Sequence, residues 1–278
     1  MESKDDMMLV LLAGQSNMAG RGIATPEDLT AVPGLMYIGK DKKWRPAIEP
    51  ITRDRNFIGA FHEDKSKAEP PADPFDALAV PEKGYIVGVG PGRTFGRLLK
   101  EANPDKTVGL IPTAVGGTPI SAWKPCGVDP WDPECHPYDN SIILAKEAMK
   151  YGKIAAVLWH QGESDAAKRN ENYKEDLREV IHNFRKELRL QNVPFILGEL
   201  ASFYEAKIMD YLDPIDQAMY QLAEEEPLVS VIRTKDLMHR GDNLHYDAAS
   251  CHIMGARYFE AYQKLISFFL SVPAAGQV

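Results

Sequence analysis

Five short apolar segments recur along the chain, and each has about the length of a β-strand. Several are continuously apolar rather than alternating, which is typical of strands that are buried on both faces of a sheet. The segments span residues 8–14, 107–113, 154–160, 195–200 and 228–234. The pattern therefore predicts five strands at the centre of the protein.

The stretches between these strands have apolar residues at helical spacing. The clearest is 170–190, where an apolar stripe faces away from the charged positions and predicts a helix with one buried side. Further helices are predicted over 92–104, 141–152 and 247–269. Strands that alternate with helices indicate βαβ units, so the chain is predicted to be an α/β protein with a parallel sheet, folded as a single domain over residues 1–278.

Residues 41–90 differ from the rest of the chain. They are rich in Pro, Asp, Glu and Lys and show no sustained period. A loop of this length is often functional, and we expect a surface insertion within the domain.

Composition narrows the range of partners. The hydrophobic fraction of 44% and the charged fraction of 26% are ordinary for a globular protein. The formal net charge of -8 argues against a nucleic-acid partner, because proteins that bind nucleic acids usually carry a basic face.

No apolar segment approaches the length of a membrane span, so no membrane partner is expected. The polar start "MESKDDMM" shows no signal peptide, and the compartment stays open: secreted or extracytoplasmic if a signal has been removed. The oligomeric state is unknown at this level.

The cysteine and histidine spacings do not predict a metal site. Cys126 and Cys135 lie in "PCGVDPWDPEC" and could form a disulfide or remain two thiols. The possible ligands towards the C-terminus have no compact spacing, so neither a metal nor a cofactor is expected. These possible ligands are His239, Asp242, His245 and His252.

Polar, glycine-rich clusters follow four of the five predicted strands. "GQSNM" follows the first strand, "AVGGT" the second, "HQGES" the third and "DNLH" the fifth. Ligands of parallel sheets bind at the carboxyl ends of the strands, so these clusters are predicted to meet at one edge.

The clusters contain the residue types that acyl transfer requires. Ser16 is the candidate nucleophile, and His245 is the candidate base that takes its proton. Asp242 is placed to hold the second imidazole nitrogen, as in other Ser-His-Asp sites. The alternative interpretation is that Ser16 and Asp242 only cap helices.

The oxyanion of a tetrahedral intermediate needs hydrogen-bond donors. The candidates are the backbone N–H of Ser16, the N–H of Gly116 or Gly117, and the side-chain amide of Gln161.

Other polar and aromatic residues are ambiguous. Gln15, Trp123 and Glu163 are possible substrate-binding residues, and Glu163 could instead be a second carboxylate partner of His245 or a structural anchor. His160 is expected to pack against the sheet edge, and the role of Arg93 stays open. Aromatic side chains after the second strand could form a sugar platform or pack under the loop. These side chains are Trp123, Trp131 and Tyr138.

The motifs "GQSNM", "GGTPISAW", "HQGES" and "DNLH" resemble the conserved blocks of the SGNH hydrolase superfamily. They are most similar to its carbohydrate acetylesterase branch, which includes acetyl xylan esterases of carbohydrate esterase family 6 and sialate O-acetylesterases. The resemblance implies a three-layer α/β/α sandwich around a mostly parallel, five-stranded, flavodoxin-like sheet. It also implies that an acetylated carbohydrate is the substrate, that Ser16, Asp242 and His245 form the triad, and that Gln161 replaces the asparagine of the wider superfamily.

Three hypotheses of function follow from the sequence. The first is a serine esterase that removes acetyl groups from carbohydrates, of the acetyl xylan esterase or sialate O-acetylesterase type. The second is a carbohydrate-binding protein without catalysis on the same fold. The third is another ester hydrolase, such as a lipase or a thioesterase, which the charged residues of 41–90 disfavour.

Overall fold

Nine strands and eight α-helices make up the part of the chain that the computed structural model describes, residues 7–52 and 87–271. The strands are β1 Met7–Gly14, β2 Gly22–Ile23, β3 Leu35–Ile38, β4 Trp44–Pro46, β5 Val87–Val89, β6 Val108–Pro112, β7 Gly152–His160, β8 Phe195–Gly198 and β9 Val229–Ile232. The helices are α1 Ser16–Ala19, α2 Pro91–Ala102, α3 Pro137–Ala148, α4 Glu163–Lys168, α5 Tyr173–Leu188, α6 Ala206–Met209, α7 Leu212–Glu225 and α8 Ala248–Ser271, with a 3₁₀ helix at Ile120–Trp123.

Seven of the strands form the central sheet, in the order β4-β3-β6-β1-β7-β8-β9. All neighbouring pairs are parallel except the β3–β4 pair at one edge. The five strands predicted from the apolar segments are β1, β6, β7, β8 and β9, and their spatial order, 2-1-3-4-5 in chain sequence, is that of flavodoxin-like folds. The predicted fold class is therefore confirmed, with seven strands in the sheet rather than five.

Helices cover both faces of the sheet. On one face α2 packs against α8, and on the other α5 packs between α3 and α7. The apolar stripe of α5 is buried as the sequence predicted, and β1 is buried along most of its length because helices lie above and below it.

The part of the predicted insertion that the structure describes is only partly on the surface. Residues 41–46 are exposed or half-buried, and strand β4 within them pairs with β3 at the edge of the sheet, whereas the side chains of Ala47, Glu49 and Ile51 are buried. The expectation of a surface segment is wrong for these three side chains, because the chain after β4 turns into the protein. Residues 53–86 lie outside the described part of the chain.

The structure also bears on disulfide bonds and on membrane-spanning helices. Cys126, Cys135 and Cys251 are not joined by disulfide bonds. Among the helices of residues 7–52 and 87–271, none combines the length and apolarity that crossing a membrane requires.

The buried carboxyl of Glu49 makes stability depend on pH. Its Oε2 accepts a hydrogen bond from the Ile51 N–H at 2.9 Å, whereas Oε1 has no partner among the described residues. Burial raises the pKa of Glu49 from 4.5 to about 7. A carboxyl whose pKa is higher in the folded than in the unfolded state stabilises the fold most below its unfolded pKa, and that stability is lost as the pH rises through the folded pKa.

We therefore expect Glu49→Gln to gain stability relative to the wild type as the pH rises from 4.5 to 7. The shift of the pKa corresponds to a change in relative unfolding free energy of about 3 kcal/mol across the full titration. Urea unfolding of both proteins at a series of pH values measures it, with exposed Glu224→Gln as the control. A difference that does not change with pH would show that the carboxyl does not titrate in this range.

Candidate active site

Strand β1 ends at the middle of the sheet and places Ser16 at its carboxyl edge. Gly14 is needed at this point, because its φ is +127° and a Cβ there would lie 2.1 Å from the His160 carbonyl oxygen of β7. The chain then turns into the short helix α1, which begins at Ser16. Both β1 and β7 thus deliver their ends to the point where the strand order reverses, the usual ligand position in such sheets.

The three residues proposed as a triad lie within hydrogen-bonding distance of one another. Ser16 Oγ is 3.1 Å from His245 Nε2, and His245 Nδ1 is 2.8 Å from Asp242 Oδ2. Ser16 begins α1, whereas Asp242 and His245 share the loop between β9 and α8. The structure therefore brings together a hydroxyl, an imidazole and a carboxylate in the order that proton transfer from a serine requires.

Asp242 is held by more donors than the imidazole alone. Its Oδ1 accepts the backbone N–H groups of Leu244 and His245 at 3.0 and 2.8 Å, and its Oδ2 also accepts Arg240 Nε at 2.7 Å. Burial raises the pKa of Asp242, but the hydrogen bonds from His245 and Arg240 outweigh it and hold the pKa well below its usual range. These bonds therefore favour the ionised form of Asp242.

Arg240 belongs to the site although the sequence did not predict it. The only signal was its position two residues before Asp242 in "HRGD", which does not show that the side chain turns back on the carboxylate. Arg240 Nη1 also donates to the Arg21 carbonyl at 3.0 Å, so it ties the loop of the candidate base to the segment after α1.

The backbone N–H groups proposed for the oxyanion lie at the same edge. The N–H of Ser16 has no acceptor among the described residues, and the same holds for the N–H of Gly117. Gly117 has a φ of +70°, a conformation that favours glycine, and its carbonyl accepts Ser164 Oγ at 3.0 Å. Gly116 and Gly117 both line the solvent-open cavity that lies over Ser16.

Gln161 is not placed as the sequence predicted. Its side chain is fully buried, and Nε2 donates to Asp165 Oδ2 at 2.6 Å and to the Thr118 carbonyl at 3.1 Å. Its Oε1 accepts the Tyr173 hydroxyl at 3.1 Å. Both amide hydrogens therefore have acceptors inside the protein, and the predicted oxyanion role does not fit this geometry.

Gln15 is the amide that reaches the cavity instead. Its Oε1 lies 3.4 Å from both Gln161 Nε2 and the Ser164 N–H, so this end of the amide points into the protein. Gln15 Nε2 has no partner among the described residues and is not sealed from solvent. Gln15 also lines the cavity, as expected of a substrate-binding residue.

Asn17 joins the nucleophile turn to the loop that carries His245. Its Nδ2 donates to Glu163 Oε1 at 2.7 Å and to the Leu244 carbonyl at 3.2 Å, and its Oδ1 accepts the Tyr246 N–H at 3.2 Å. The two backbone partners are the residues on either side of His245. The side chain of Asn17 thus fixes the position of His245 relative to Ser16.

Glu163 holds the side chain of Asn17 from inside the protein. It is buried, and its Oε1 also accepts the Tyr204 hydroxyl at 3.1 Å. Burial raises the pKa of Glu163, although the hydrogen bond from Asn17 opposes that shift. Among the alternatives for Glu163, the contacts show a structural anchor that also lines the cavity.

His160 is a packed residue, as its position suggested. It is fully buried, burial lowers its pKa to about 3, and neither ring nitrogen has a partner among the described residues. Its Nε2 lies 3.8 Å from Glu163 Oε1, but a neutral ring forms no salt bridge there. Its ring packs edge-on against Tyr246.

Three residues with open roles lie away from the cavity. Trp123 is fully buried, packs edge-on against Trp159 and donates from Nε1 to Thr118 Oγ1 at 3.0 Å, so its predicted contact with substrate is wrong. Tyr138 is buried against Phe184. Arg93 donates to the backbone carbonyls of Glu27, Thr30 and Ala47 and is structural.

The cavity over Ser16 has a volume of about 400 Å³ and is open to solvent. Two cationic residues, Arg21 and Lys207, and two acidic ones, Glu163 and Glu205, share its lining. In residues 7–52 and 87–271, no three His, Cys, Asp or Glu side chains are arranged to hold a metal ion. The groups described above that face this cavity are the Ser16 hydroxyl, the His245 imidazole and the backbone of Gly116 and Gly117.

Comparison with known proteins gives the family of the chain. The family described as "carbohydrate esterase, sialic acid-specific acetylesterase" matches residues 6–264. A protein of Arabidopsis thaliana named "Probable carbohydrate esterase" is 28% identical over 273 residues, covering 91% of this chain and 89% of its own length.

Solved structures agree on the fold. The crystal structure of the Arabidopsis protein superposes with a TM-score of 0.70 at 26% identity, covering 93% of this chain and 98% of that one. The structure of NanS superposes with a TM-score of 0.72 at 14% identity, covering 98% of this chain and all of NanS, and supports the fold alone.

The family match spans nearly the whole described chain and includes every residue of the candidate triad. The chain therefore belongs to the carbohydrate esterase family of sialic acid-specific acetylesterases, and it is a carboxylic ester hydrolase.

Proposed function

We propose that this enzyme removes acetyl groups from a carbohydrate, with Ser16 as nucleophile, His245 as general base and Asp242 as the carboxylate that orients the imidazole. The observation that carries the proposal is the hydrogen-bonded series from Ser16 Oγ through His245 to Asp242, at 3.1 and 2.8 Å. Family membership supports the acetyl ester and the carbohydrate as substrate class.

The first half of the reaction forms an acetyl-enzyme. His245 Nε2 takes the proton of Ser16 Oγ as the oxygen attacks the acetyl carbonyl carbon, and the carbonyl π electrons move to its oxygen. The tetrahedral intermediate then collapses, the bond to the sugar oxygen breaks, and His245 returns the proton to that oxygen. Asp242 stabilises the imidazolium throughout, because Arg240 and two backbone N–H groups keep the carboxylate ionised and fixed.

The second half repeats these steps with water as the attacking group. His245 takes a proton from the water as its oxygen attacks the acyl carbon. The bond from that carbon to Ser16 Oγ then breaks, His245 returns the proton to Oγ, and acetic acid is released and ionises to acetate. Neither half consumes anything except the ester and water.

The developing oxyanion is stabilised by the N–H groups of Ser16 and of the Gly116–Gly117 turn. We assign the side-chain donor to Gln15 Nε2, because Gln161 has both of its amide hydrogens bonded elsewhere. In related sites, the removal of one oxyanion donor lowers kcat by a factor of about 10² to 10³.

Acetate release from a panel of esters tests the proposal. Acetylated xylan, O-acetylated sialic acid and 4-nitrophenyl esters of increasing acyl length separate the three classes of hydrolase. Release of acetate from a glycan together with a preference for acetyl over longer chains supports the proposal. Preference for long acyl chains would favour a lipase or thioesterase.

A serine-reactive phosphonate separates the enzyme from a binding protein on the same fold. Modification of Ser16, located by peptide mass spectrometry, is expected at a rate that falls in His245→Ala. A protein that binds the sugar but leaves Ser16 unmodified would be a carbohydrate-binding protein.

The pair of Arg240 and Asp242 makes a prediction about pH. The Arg240 cation, 2.7 Å from Asp242 Oδ2, offsets the charge that stabilises the His245 imidazolium. Because the substitution removes a positive charge beside the triad, we expect Arg240→Gln to move the acid limb of kcat/KM towards higher pH by roughly half a unit.

The pH dependence of kcat/KM for both proteins measures this shift. The control is Arg257→Gln, which removes an equally close pair with Asp236 that does not line the cavity over Ser16. An acid limb that stays in place in Arg240→Gln would show that this arginine does not act on the triad.

A further inference from the structure

An exposed tryptophan lies beside the glycine turn of the catalytic cavity. The Trp131 side chain is 72% exposed. Its indole Nε1 lies 3.4 Å from the position that a Cβ on Gly117 would occupy. Because Gly117 lines the cavity over Ser16, the indole stands at the rim of that cavity.

The loop around Trp131 is ordered by its own hydrogen bonds. The Trp131 N–H donates to Oδ1 of the buried Asp129 at 3.0 Å. The Asp129 N–H bonds to the Cys135 carbonyl and the Cys135 N–H to the Asp132 carbonyl, both at 2.9 Å. Trp131 also lies between Pro130 and Asp132, and the proline restricts the backbone. The backbone that carries the indole is thus ordered before any ligand binds, which lowers the entropy cost of binding.

The exposure of Trp131 has no explanation in packing. Trp123 and Trp159 are fully buried and contact each other edge-on, whereas Trp131 leaves most of its surface in water. Tryptophan is enriched at recognition sites because it offers a large rigid apolar face and one N–H donor. An exposed indole that is carried by a hydrogen-bonded loop and adjoins the cavity over Ser16 is therefore placed to contact the part of a substrate that stays outside the cavity.

We propose that Trp131 is the stacking platform for the sugar ring whose acetyl ester enters the cavity. This inference rests on the proposed function. A single ester oxygen joins the acetyl carbonyl carbon to the sugar. With that carbon at Ser16 Oγ and its oxygen near the N–H groups of Ser16 and Gly117, the ring lies just outside the cavity, beside Gly117. One face of a pyranose presents mainly C–H groups, which match the apolar face of the indole.

Kinetics with two esters test the platform. Monoacetates of methyl β-D-xylopyranoside carry a sugar ring, whereas ethyl acetate does not. We expect Trp131→Ala to raise KM for the sugar esters about tenfold while kcat/KM for ethyl acetate stays within about twofold of wild type. Trp131→Phe, which keeps an aromatic face, should recover most of the loss. Val128→Ala, which removes another exposed apolar side chain of the same loop, should behave like wild type.

The two esters also separate this inference from the proposed function. Equal losses on both esters, or no loss on the sugar esters, would overturn the platform. A wild-type protein that hydrolyses neither ester would contradict the proposed function itself.

Binding without turnover gives an independent measurement. Methyl β-D-xylopyranoside monoacetate is titrated into Ser16→Ala while tryptophan emission is recorded, because Trp131 is the most exposed of the large hydrophobic side chains near the cavity. We expect a saturable change that disappears in the double variant Ser16→Ala, Trp131→Phe. An unchanged signal in the double variant would overturn the inference. A shift of the sedimentation coefficient on Trp131→Ala would also overturn it, because the indole would then be a contact between copies of the chain.

Discussion

Replacing Ser16 with alanine will lower kcat for acetate esters by a factor of about 10⁴ or more, as expected when the nucleophile of a triad is removed. The substitution deletes one oxygen, whose hydrogen-bond partner among the described residues is His245 Nε2. Folding should be unaffected, because the backbone of the turn is fixed by Gly14 and by the bonds of Asn17. Acetate release and the unfolding temperature measure the two effects separately.

Ser164 provides the matched control for this experiment. It lines the same cavity, and its hydroxyl donates to the Gly117 carbonyl rather than to an imidazole. Ser164→Ala should therefore lose less than about tenfold in kcat, the effect of one neutral hydrogen bond in the surroundings of the site. Comparable activity in Ser16→Ala and wild type would exclude Ser16 as nucleophile and leave the triad geometry without a catalytic role.

The sequence predicted the fold and the meeting of the candidate triad for one physical reason. Strands buried on both faces must be continuously apolar, so β1, β6, β7, β8 and β9 are visible as segments, and parallel strands bring their following residues to one edge. Ser16 and His245 could therefore be predicted as neighbours although 228 residues lie between them, as the sequence separation of 229 for their contact shows.

What the sequence did not predict depends on where side chains point. "HQGES" places an amide after β7, but only the three-dimensional surroundings show that Gln161 turns inward to Asp165 and Thr118. In the same way, three aromatic residues follow β6 in the sequence, yet Trp123 and Tyr138 are buried and Trp131 is exposed. Long-range packing decides between these outcomes, and local spacing carries no information about it.

Some elements were not predicted because they are too short, and helix α7 was not predicted because of a proline in its first turn. Strands β3 and β4 have four and three residues, too few for a period to be recognised. Helix α7 does carry apolar residues at helical spacing, including Leu212, Ile215 and Met219, but Pro214 in its first turn resembles a break. A proline is tolerated there, because the first N–H groups of a helix have no partner within it.

Replacing Asn17 with alanine should have the second-largest effect on kcat, because the Asn17 side chain joins the turn of Ser16 to the loop of His245. Ser16 and His245 belong to different parts of the chain, so their 3.1 Å contact needs a device that fixes one loop to the other. The Asn17 amide bonds to the Leu244 carbonyl and the Tyr246 N–H, on either side of His245, and is itself held by Glu163. A misplacement of a catalytic group by about 1 Å can cost a factor of about 10² in rate.

Asn17→Ala should therefore lower kcat about 100-fold and lower the unfolding free energy by about 3 kcal/mol, because the buried Glu163 carboxyl and the Tyr246 N–H lose a partner. Tyr204→Phe is the matched control, since it removes the other donor to Glu163 Oε1, a hydroxyl that also accepts Asn17 Nδ2 at 3.2 Å, and leaves both bonds around His245 intact. It should cost about 1 kcal/mol in stability and leave kcat near wild type. Urea unfolding and kcat on one acetate ester measure both variants. Equal losses of kcat in the two variants would mean that the buried network as a whole, rather than the Asn17 link to the loop of His245, sets the geometry of catalysis.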